Sequence, residues 1–329
     1  MLEKPEVEGM RRRALVLLSG GLDSMLAVAL LRRCGIGVTG ITFTTPFFGR
    51  HKAEKAATEL GIELLVIDIT GPHLEMLKNP RYGYGKNLNP CIDCHALMIR
   101  VAGDYLDESG AAFIASGEVL GERPKSQNRQ ALELVARLSE VGDLLLRPLS
   151  ARLLPETKPE LEGWIDRECL LDISGRSRRR QMELAEEWGI EEYENPAGGC
   201  LLTDAAFSSR LRELMVRVPG FDGADAELMK LGRHAWTGST LIVLGRRHEE
   251  NLRLAELALP ADLLYKEKEV PGPTALLRAY PRGASPNRKD LKEAARLLGM
   301  YGKGKKPLKP DMMTNIEEEV SESGGNNHT

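Results

Sequence analysis

Near its start the chain repeats one pattern: a short apolar run, then a stretch whose apolar residues recur at helical spacing. Leu15-Val16-Leu17-Leu18 stops at a glycine pair and reads as a buried parallel strand, and Met25 to Arg33 follows with helical periodicity. Val38 to Phe43 reads as a second strand, His51 to Leu60 as a helix and Glu63 to Ile67 as a third strand. Ala112 to Ala115 and Leu144 to Leu149 continue the series, with a helical pattern over Gln127 to Arg137 between them. Asn79 to Asn89, rich in Gly, Tyr and Asn, must be a loop. Alternating strands and helices predict an α/β fold, a doubly wound parallel sheet covered on both faces. Ligands of such sheets sit beyond the carboxyl ends of the strands.

Past about residue 205 the texture changes. Leu241 to Leu244 reads as a strand running into the basic turn Gly245-Arg246-Arg247, Glu249 to Leu257 as a helix, and Leu263 to Tyr265 and Thr274 to Tyr280 as short strands. This predicts a second, smaller α+β domain over 205–302. The polar, aperiodic stretch 303–329 is expected to be disordered, and residues 1–12 form a polar leading segment. The main domain then spans 13–204. Thr157-Lys158-Pro159-Glu160 carries the Pro and acid of a helix N-terminus.

Bulk numbers narrow the function classes. The 329 residues are 42% hydrophobic and 28% charged, ordinary for a globular protein with room for two domains. No apolar run approaches the roughly 18 residues of a membrane span, and Met1-Leu2-Glu3-Lys4 lacks the basic-then-apolar order of a signal peptide. With a net charge of −3, any nucleic-acid contact must come from local basic patches. Arg176, Arg178, Arg179 and Arg180 are the densest such patch; they form either a solvated helix face or a contact to a phosphate backbone. Arg11, Arg12 and Arg13 are a solvated strand entry or, again, an RNA contact. An odd five cysteines predict a reducing, cytoplasmic setting without a disulfide scaffold. Cys34 and Cys169 lie in apolar patterns and are expected to be buried, inert thiols.

The chemistry centres on Ser19-Gly20-Gly21-Leu22-Asp23-Ser24. A glycine turn between a strand and a helix brings backbone close to a ligand and points helix N–H groups at an anion. Ser19 and Ser24 add hydroxyl donors, and Asp23 could hold a magnesium ion bridging phosphates. Thr42 and Phe43 would flank an adenine ring at the second strand's end, unless Phe43 is plain core. Ser116 and Gly117, at another strand end, would allow close approach of a nucleotide. Cys91 and Cys94 have the spacing of two ligands on one metal at a helix entry, and Cys200 follows the flexible pair Gly198-Gly199. Cys-x-x-Cys by itself could be half a zinc site, a redox pair or part of an iron–sulfur site.

The loop resembles that of the PP-loop ATP pyrophosphatases, which split ATP between its α and β phosphates. Together with Asn89-Pro90-Cys91-x-x-Cys94, Ala115-Ser116-Gly117-Glu118, Thr157-Lys158-Pro159-Glu160 and Cys200, residues 13–204 resemble the tRNA thiouridine synthetases of the 2-thiouridylase and 4-thiouridine synthetase branches. Those enzymes carry an acid where Cys91 stands and a histidine where Glu118 stands. The resemblance implies an adenine nucleotide alpha hydrolase-like fold, ATP with Mg2+ as cofactors, and tRNA and a sulfur donor (sulfide or a persulfide carrier) as partners. It implies adenylation of a uridine carbonyl oxygen, with Asp23, Cys91, Cys94 and Cys200 catalytic. The three cysteines resemble the iron–sulfur branch of tRNA thiolation enzymes, where three thiolates hold a [4Fe–4S] cluster. Persulfide relay through Cys200, or structural zinc with His95 as fourth ligand, remain alternatives. The stretches Leu231-Gly232-Arg233-His234 and Val270-Pro271-Gly272-Pro273-Thr274 resemble the RNA-binding module of NFACT proteins. The rival readings are a PP-loop pyrophosphatase acting on a small molecule and a non-catalytic ATP- and RNA-binding protein.

Overall fold

The computed structural model describes residues 13–193, 200–268, 270–303 and 305–316. The leading segment 1–12, the Gly198-Gly199 hinge and residues 317–329 lie outside the described residues. The chain divides into two compact units, Met1–Asp204 and Ala205–Thr329.

In the first unit the elements run β1 (Arg13–Leu17), α1 (Leu22–Arg33), β2 (Gly37–Thr44), α2 (His51–Leu60), β3 (Leu64–Asp68), α3 (Thr70–Lys78), α4 (Cys91–Asp104) and α5 (Leu106–Ser109). They continue with β4 (Phe113–Ser116), α6 (Arg129–Leu138), β5 (Leu145–Leu146), α7 (Lys158–Leu161) and α8 (Arg179–Trp188). The strands form one parallel sheet in the order β3-β2-β1-β4-β5. Alternate residues feed two cores. Ala14, Val16, Phe113, Ala115 and Leu146 pack with α1 and α2, while Leu15, Ile114 and Leu145 pack with α4 and α6. Both faces are covered, which is why these strands read as unbroken apolar runs rather than alternating ones. Along α1, Leu22, Met25, Leu26 and Leu31 are fully buried, each worth about 1.5–3 kcal/mol of burial. The carboxyl ends of β1, β2 and β4 open on one edge, so everything placed after them is brought together.

The second unit contains α9 (Ala205–Arg217), α10 (Gly223–Leu228), β6 (Arg233–Thr237), β7 (Thr240–Leu244), α11 (His248–Glu256), β8 (Leu263–Glu267), β9 (Ala275–Ala279), α12 (Arg288–Tyr301) and β10 (Met313–Asn315). Its antiparallel sheet has the order β10-β8-β9-β7-β6, and Ala294, Ala295 and Leu298 of α12 cover one face against Ile242, Leu244 and Leu277. β10 falls in the stretch expected to be disordered; Met313 is buried and its strand pairs antiparallel with β8. Its few apolar residues carry no periodicity, so nothing in the local pattern marks it. Inside the unit the Arg278 guanidinium is fully buried and bonded to Asp262 (2.6 Å) and Asp225 (3.1 Å). Among the described residues no helix is long and apolar enough to cross a membrane.

Cys34, just after α1, and Cys169 pair as a disulfide across 135 residues, with Cα atoms 6.0 Å apart. The inert-thiol reading of these two is corrected: both are half-buried, and the fold brings the end of α1 against the segment after α7. Sequence could not show this, because the partners meet only through the packing of the sheet.

His234 of β6 is half-buried, its Nε2 3.0 Å from the Leu228 carbonyl, and desolvation of the ring lowers its pKa to about 4. A base with a lowered folded pKa stays neutral in the native state while the unfolded chain takes up its proton. Unfolding free energy should therefore fall as pH drops from about 6.5 to about 4. His234→Gln should flatten that fall, measured by urea denaturation across this pH range.

Candidate active site

Between β1 and α1 the loop folds on itself. Gly20 has φ +78°, and a Cβ there would collide with the Lys52 backbone. Only glycine fits both demands. The Ser24 hydroxyl donates to the Gly21 carbonyl (2.7 Å), and the Gly21 N–H donates to Ser19 Oγ (3.3 Å). Ser19 and Ser24 hydroxyls are 3.3 Å apart. Gly21, in extended backbone, caps α1 without a side-chain bond, so the first turn of α1, which holds Leu22, Asp23 and Ser24, presents its N–H groups outward. This is a compact anion cradle of hydroxyls and helix N–H groups. Gly117 follows Ser116 of β4 and packs on this turn: a Cβ there would sit 2.5 Å from the Asp23 carbonyl carbon. Ser116 pairs in register with Leu17, at the loop's entrance. Thr42 and Phe43 behave differently. Phe43 is only 4% exposed and packs with Leu15, Ile41 and Ile69, and Thr42 is likewise buried, so both serve the core here.

Asp23 lies in a charged nest that local sequence hides. The Arg178 guanidinium approaches Asp23 Oδ2 (3.6 Å) and Glu122 Oε1 (3.7 Å). Burial raises the Asp23 pKa against the pull of Arg178, and burial with the Asp23 charge raises Glu122 to about 6. Arg178 therefore faces inward, and the basic cluster is split. Arg179 pairs with Glu183 and Arg180 with Asp172 at the surface, and Arg176 is exposed.

Beyond β4, Glu118 is buried between Arg147 (2.9 Å) and His95 (2.8 Å), and its carboxylate also accepts from Ser116 Oγ (3.1 Å). Burial alone would raise its pKa; Arg147, then His95, outweigh it and hold the carboxyl well below the usual range. Nδ1 of His95 is taken up by Glu118, which orients the ring and leaves Nε2 as its other nitrogen.

Cys91, Cys94 and Cys200 are free thiols, and they converge. Cys91 and Cys94 occupy the first turn of α4. The loop ahead of them clamps the chain around Cys200: Leu88 N–H donates to the Leu202 carbonyl (3.2 Å) and Asn87 Nδ2 to the Thr203 carbonyl (2.7 Å). Cys94 lies within charge range of Cys91 and Cys200, and Cys200 within range of Cys91. Burial pushes the Cys200 thiol up to about 11, and raises Cys94 further with the help of Cys200, Cys91 and Asp93. Cys91 is raised by burial too, and donates to Asn89 Oδ1 (2.8 Å). As they stand these are protonated thiols, not ready nucleophiles. Among the described residues no group of three or more His, Cys, Asp and Glu is arranged to hold a single metal ion. Three cysteines are the donor type that iron–sulfur clusters use. His73 of α3, fully buried, puts Nε2 3.5 Å from Cys94 Sγ between the Phe47 and Phe48 rings. A lone histidine in an apolar helix gave no sequence signal for this. Arg123 joins the two halves: its charge acts on Asp23 and Glu122 on one side and on Cys91 and Cys200 on the other.

Residues 9–152 match the family model described as thiamine biosynthesis protein (ThiI). A tRNA-specific 2-thiouridylase MnmA of Syntrophomonas wolfei is 31% identical over 190 residues, 54% of this chain and 53% of the relative. A second, from Syntrophus aciditrophicus, is 25% identical over 260 residues, 73% of this chain and 65% of its own length. The chain spans about half the length of the first of these curated relatives. A solved 4-thiouridine synthetase–RNA complex with bound ATP is 23% identical, with a TM-score of 0.37 over 66% of this chain and 52% of that one.

Glu118→Ala would leave Arg147, 7% exposed, buried without its counter-ion. Breaking such a pair from one side costs about 3–5 kcal/mol. Urea denaturation of the variant should show a loss of that size, and a loss below about 1 kcal/mol would mean the network carries no structural weight.

Proposed function

We propose, from the premise that the first unit belongs to the PP-loop, thiouridine synthetase-like family, that the chain is an ATP-dependent tRNA sulfurtransferase. One observation carries the reading: Asp23 of the anion cradle and two of the three free thiols, Cys91 and Cys200, lie within charge range of a single side chain, Arg123, while the loop before Cys91 is hydrogen-bonded to the chain just after Cys200. A reaction joining nucleotide activation to sulfur transfer needs that adjacency.

The cradle of Ser19, Gly20, Gly21, Leu22 and Ser24 holds the phosphates of ATP, and its N–H groups and hydroxyls stabilise charge on the leaving pyrophosphate. Asp23, whose buried Oδ1 makes no well-formed hydrogen bond among the described residues, would hold a hard cation such as Mg2+, which would neutralise phosphate charge. A uridine carbonyl oxygen attacks the α phosphorus, the α–β bridge breaks and pyrophosphate leaves. Sulfur then adds to the activated carbon, and AMP departs with the former carbonyl oxygen. The base must leave its stack to reach both groups. Cys91, Cys94 and Cys200 form the sulfur site. A [4Fe–4S] cluster held by them would supply a thiophilic centre for inorganic sulfide. Without one, a persulfide carrier would pass its outer sulfur to the Cys200 thiolate and leave as a thiol; once that sulfur has added to the activated carbon, Cys91 or Cys94 would attack Cys200 Sγ, freeing the thiolated product and closing a disulfide that an external thiol reductant reopens.

Contact with tRNA falls to the exposed Arg176, Arg179 and Arg180, with Arg178 withdrawn to the nucleotide side. The second unit supports RNA contact through cations stacked on rings: Arg233 over Tyr301 (4.5 Å) and Arg217 over Trp236 (5.0 Å). Tyr301 is 44% exposed, so a base could extend the stack.

Anaerobic assays with tRNA, ATP and sulfide test the reading. Asp23→Ala should abolish pyrophosphate release. Cys200→Ala should keep ATP binding but yield no thiolated tRNA. Normal thiolation by the cysteine variant would remove Cys200 from the chemistry, and absence of AMP formation by the unaltered protein would remove the activity.

A further inference from the structure

Arg178 sits one residue before α8, far in sequence from the loop it faces. Its two ion pairs, at 3.6 and 3.7 Å, are longer than good charge-assisted hydrogen bonds. Several buried polar atoms around it make no well-formed hydrogen bond, although the Asp23 carboxylate lies in side-chain contact with Glu122 and Gln181: Asp23 Oδ1, Glu122 Oε2, Arg178 Nε and both amide atoms of Gln181. Gln181 is fully buried one turn along α8. Each such atom left unmatched costs on the order of 1–3 kcal/mol. A fold tolerates that cost where the groups serve a ligand. The nest lies at the first turn of α1, the positive end of the helix that cradles phosphate.

We infer that Arg178 is an exchangeable counter-ion of the phosphate site: paired with Asp23 and Glu122 when the site is empty, and moved onto the β and γ phosphates when metal and nucleotide arrive, with Gln181 beside it. The inference rests on the ATP-binding reading and adds two residues to it. Charge explains the exchange. Two adjacent carboxylates oppose the approach of a polyphosphate unless a cation covers them. A divalent ion covers them better than a guanidinium held at ion-pair distance. The guanidinium is then released, and its planar fork of donors suits phosphate oxygens. AMP has no β or γ phosphate and makes no use of it.

The exchange predicts opposite effects from one substitution. In calorimetric titrations of the whole chain, Arg178→Ala should bind magnesium pyrophosphate and magnesium α,β-methylene-ATP about tenfold more weakly, a loss of one charged phosphate contact. AMP binding should be unchanged. Mn2+ alone should bind the variant more tightly, because no guanidinium has to be displaced from Asp23 and Glu122. A purely structural role would weaken all four together. Arg178→Lys keeps the charge without the fork; it should fold as the parent does and lose part of the pyrophosphate affinity. Thermal melting of both variants checks the fold, and the lysine variant carries the test if the alanine variant does not fold. Unchanged pyrophosphate binding, or parallel losses for AMP and Mn2+, overturns the inference. Failure of tRNA thiolation with these opposite shifts intact sinks the sulfurtransferase reading and leaves this one standing.

Discussion

The buried contact of Glu118 with Arg147 and His95 is what the rest of the site hangs on. Glu118 lies just past β4, Arg147 just past β5, and His95 on α4 next to Cys94. One carboxylate therefore ties the exits of two strands to the helix that carries two of the thiols. Ser116 joins the same oxygen, and Gly117 beside it presses on the first turn of α1. A displacement at Glu118 would thus be felt in the phosphate cradle and in the cysteine cluster alike. The low-dielectric surroundings that make the contact strong would make a broken version costly. The site is precise because its two halves share one anchor.

The parallel sheet supplies the frame for that anchor. Strands buried on both faces must be connected by crossovers, and crossovers deliver every strand's carboxyl end to the same edge. Glycine at 20 and 117 lets the backbone at that edge approach as closely as it does. Charge gathers at that edge: the α1 N-terminus with the Ser19 and Ser24 hydroxyls, the Asp23–Glu122 pair with Arg178 beside it, and Arg123 within charge range of Asp23, Glu122, Cys91 and Cys200.

Much of this was written in the local pattern. The loop from Ser19 to Ser24, the strands flanking it and the Cys91–Cys94 pair were legible because each has a short-range signature: glycine after an apolar run, or ligand spacing at a helix entry. The second unit's β6 and β10 were not, since Arg233–Thr237 is mixed in character and Met313–Asn315 is too short to show a period. Arg178 was legible as a charge but not as to direction; three neighbouring arginines look alike until α8 is placed against α1. Glu122, Gln181 and His73 were silent because their meaning comes from partners about 20 to 160 positions away. Phe43 shows the converse, a residue placed at the right strand end but turned into the core.

The Cys34–Cys169 link sets a second condition on the molecule. The loop it closes contains the Cys91–Cys94 pair and Glu118 but leaves out both Ser19–Ser24 and Cys200. Closing so long a loop restrains the denatured chain strongly. Yet the reducing surroundings that keep Cys91, Cys94 and Cys200 as free thiols are those in which such a cross-link is cleaved. Robustness and reactivity are thereby set against each other by the electron supply of the compartment. Oxidised, the chain carries the restraint of the cross-link; reduced, it keeps Cys91, Cys94 and Cys200 as thiols and gives that restraint up.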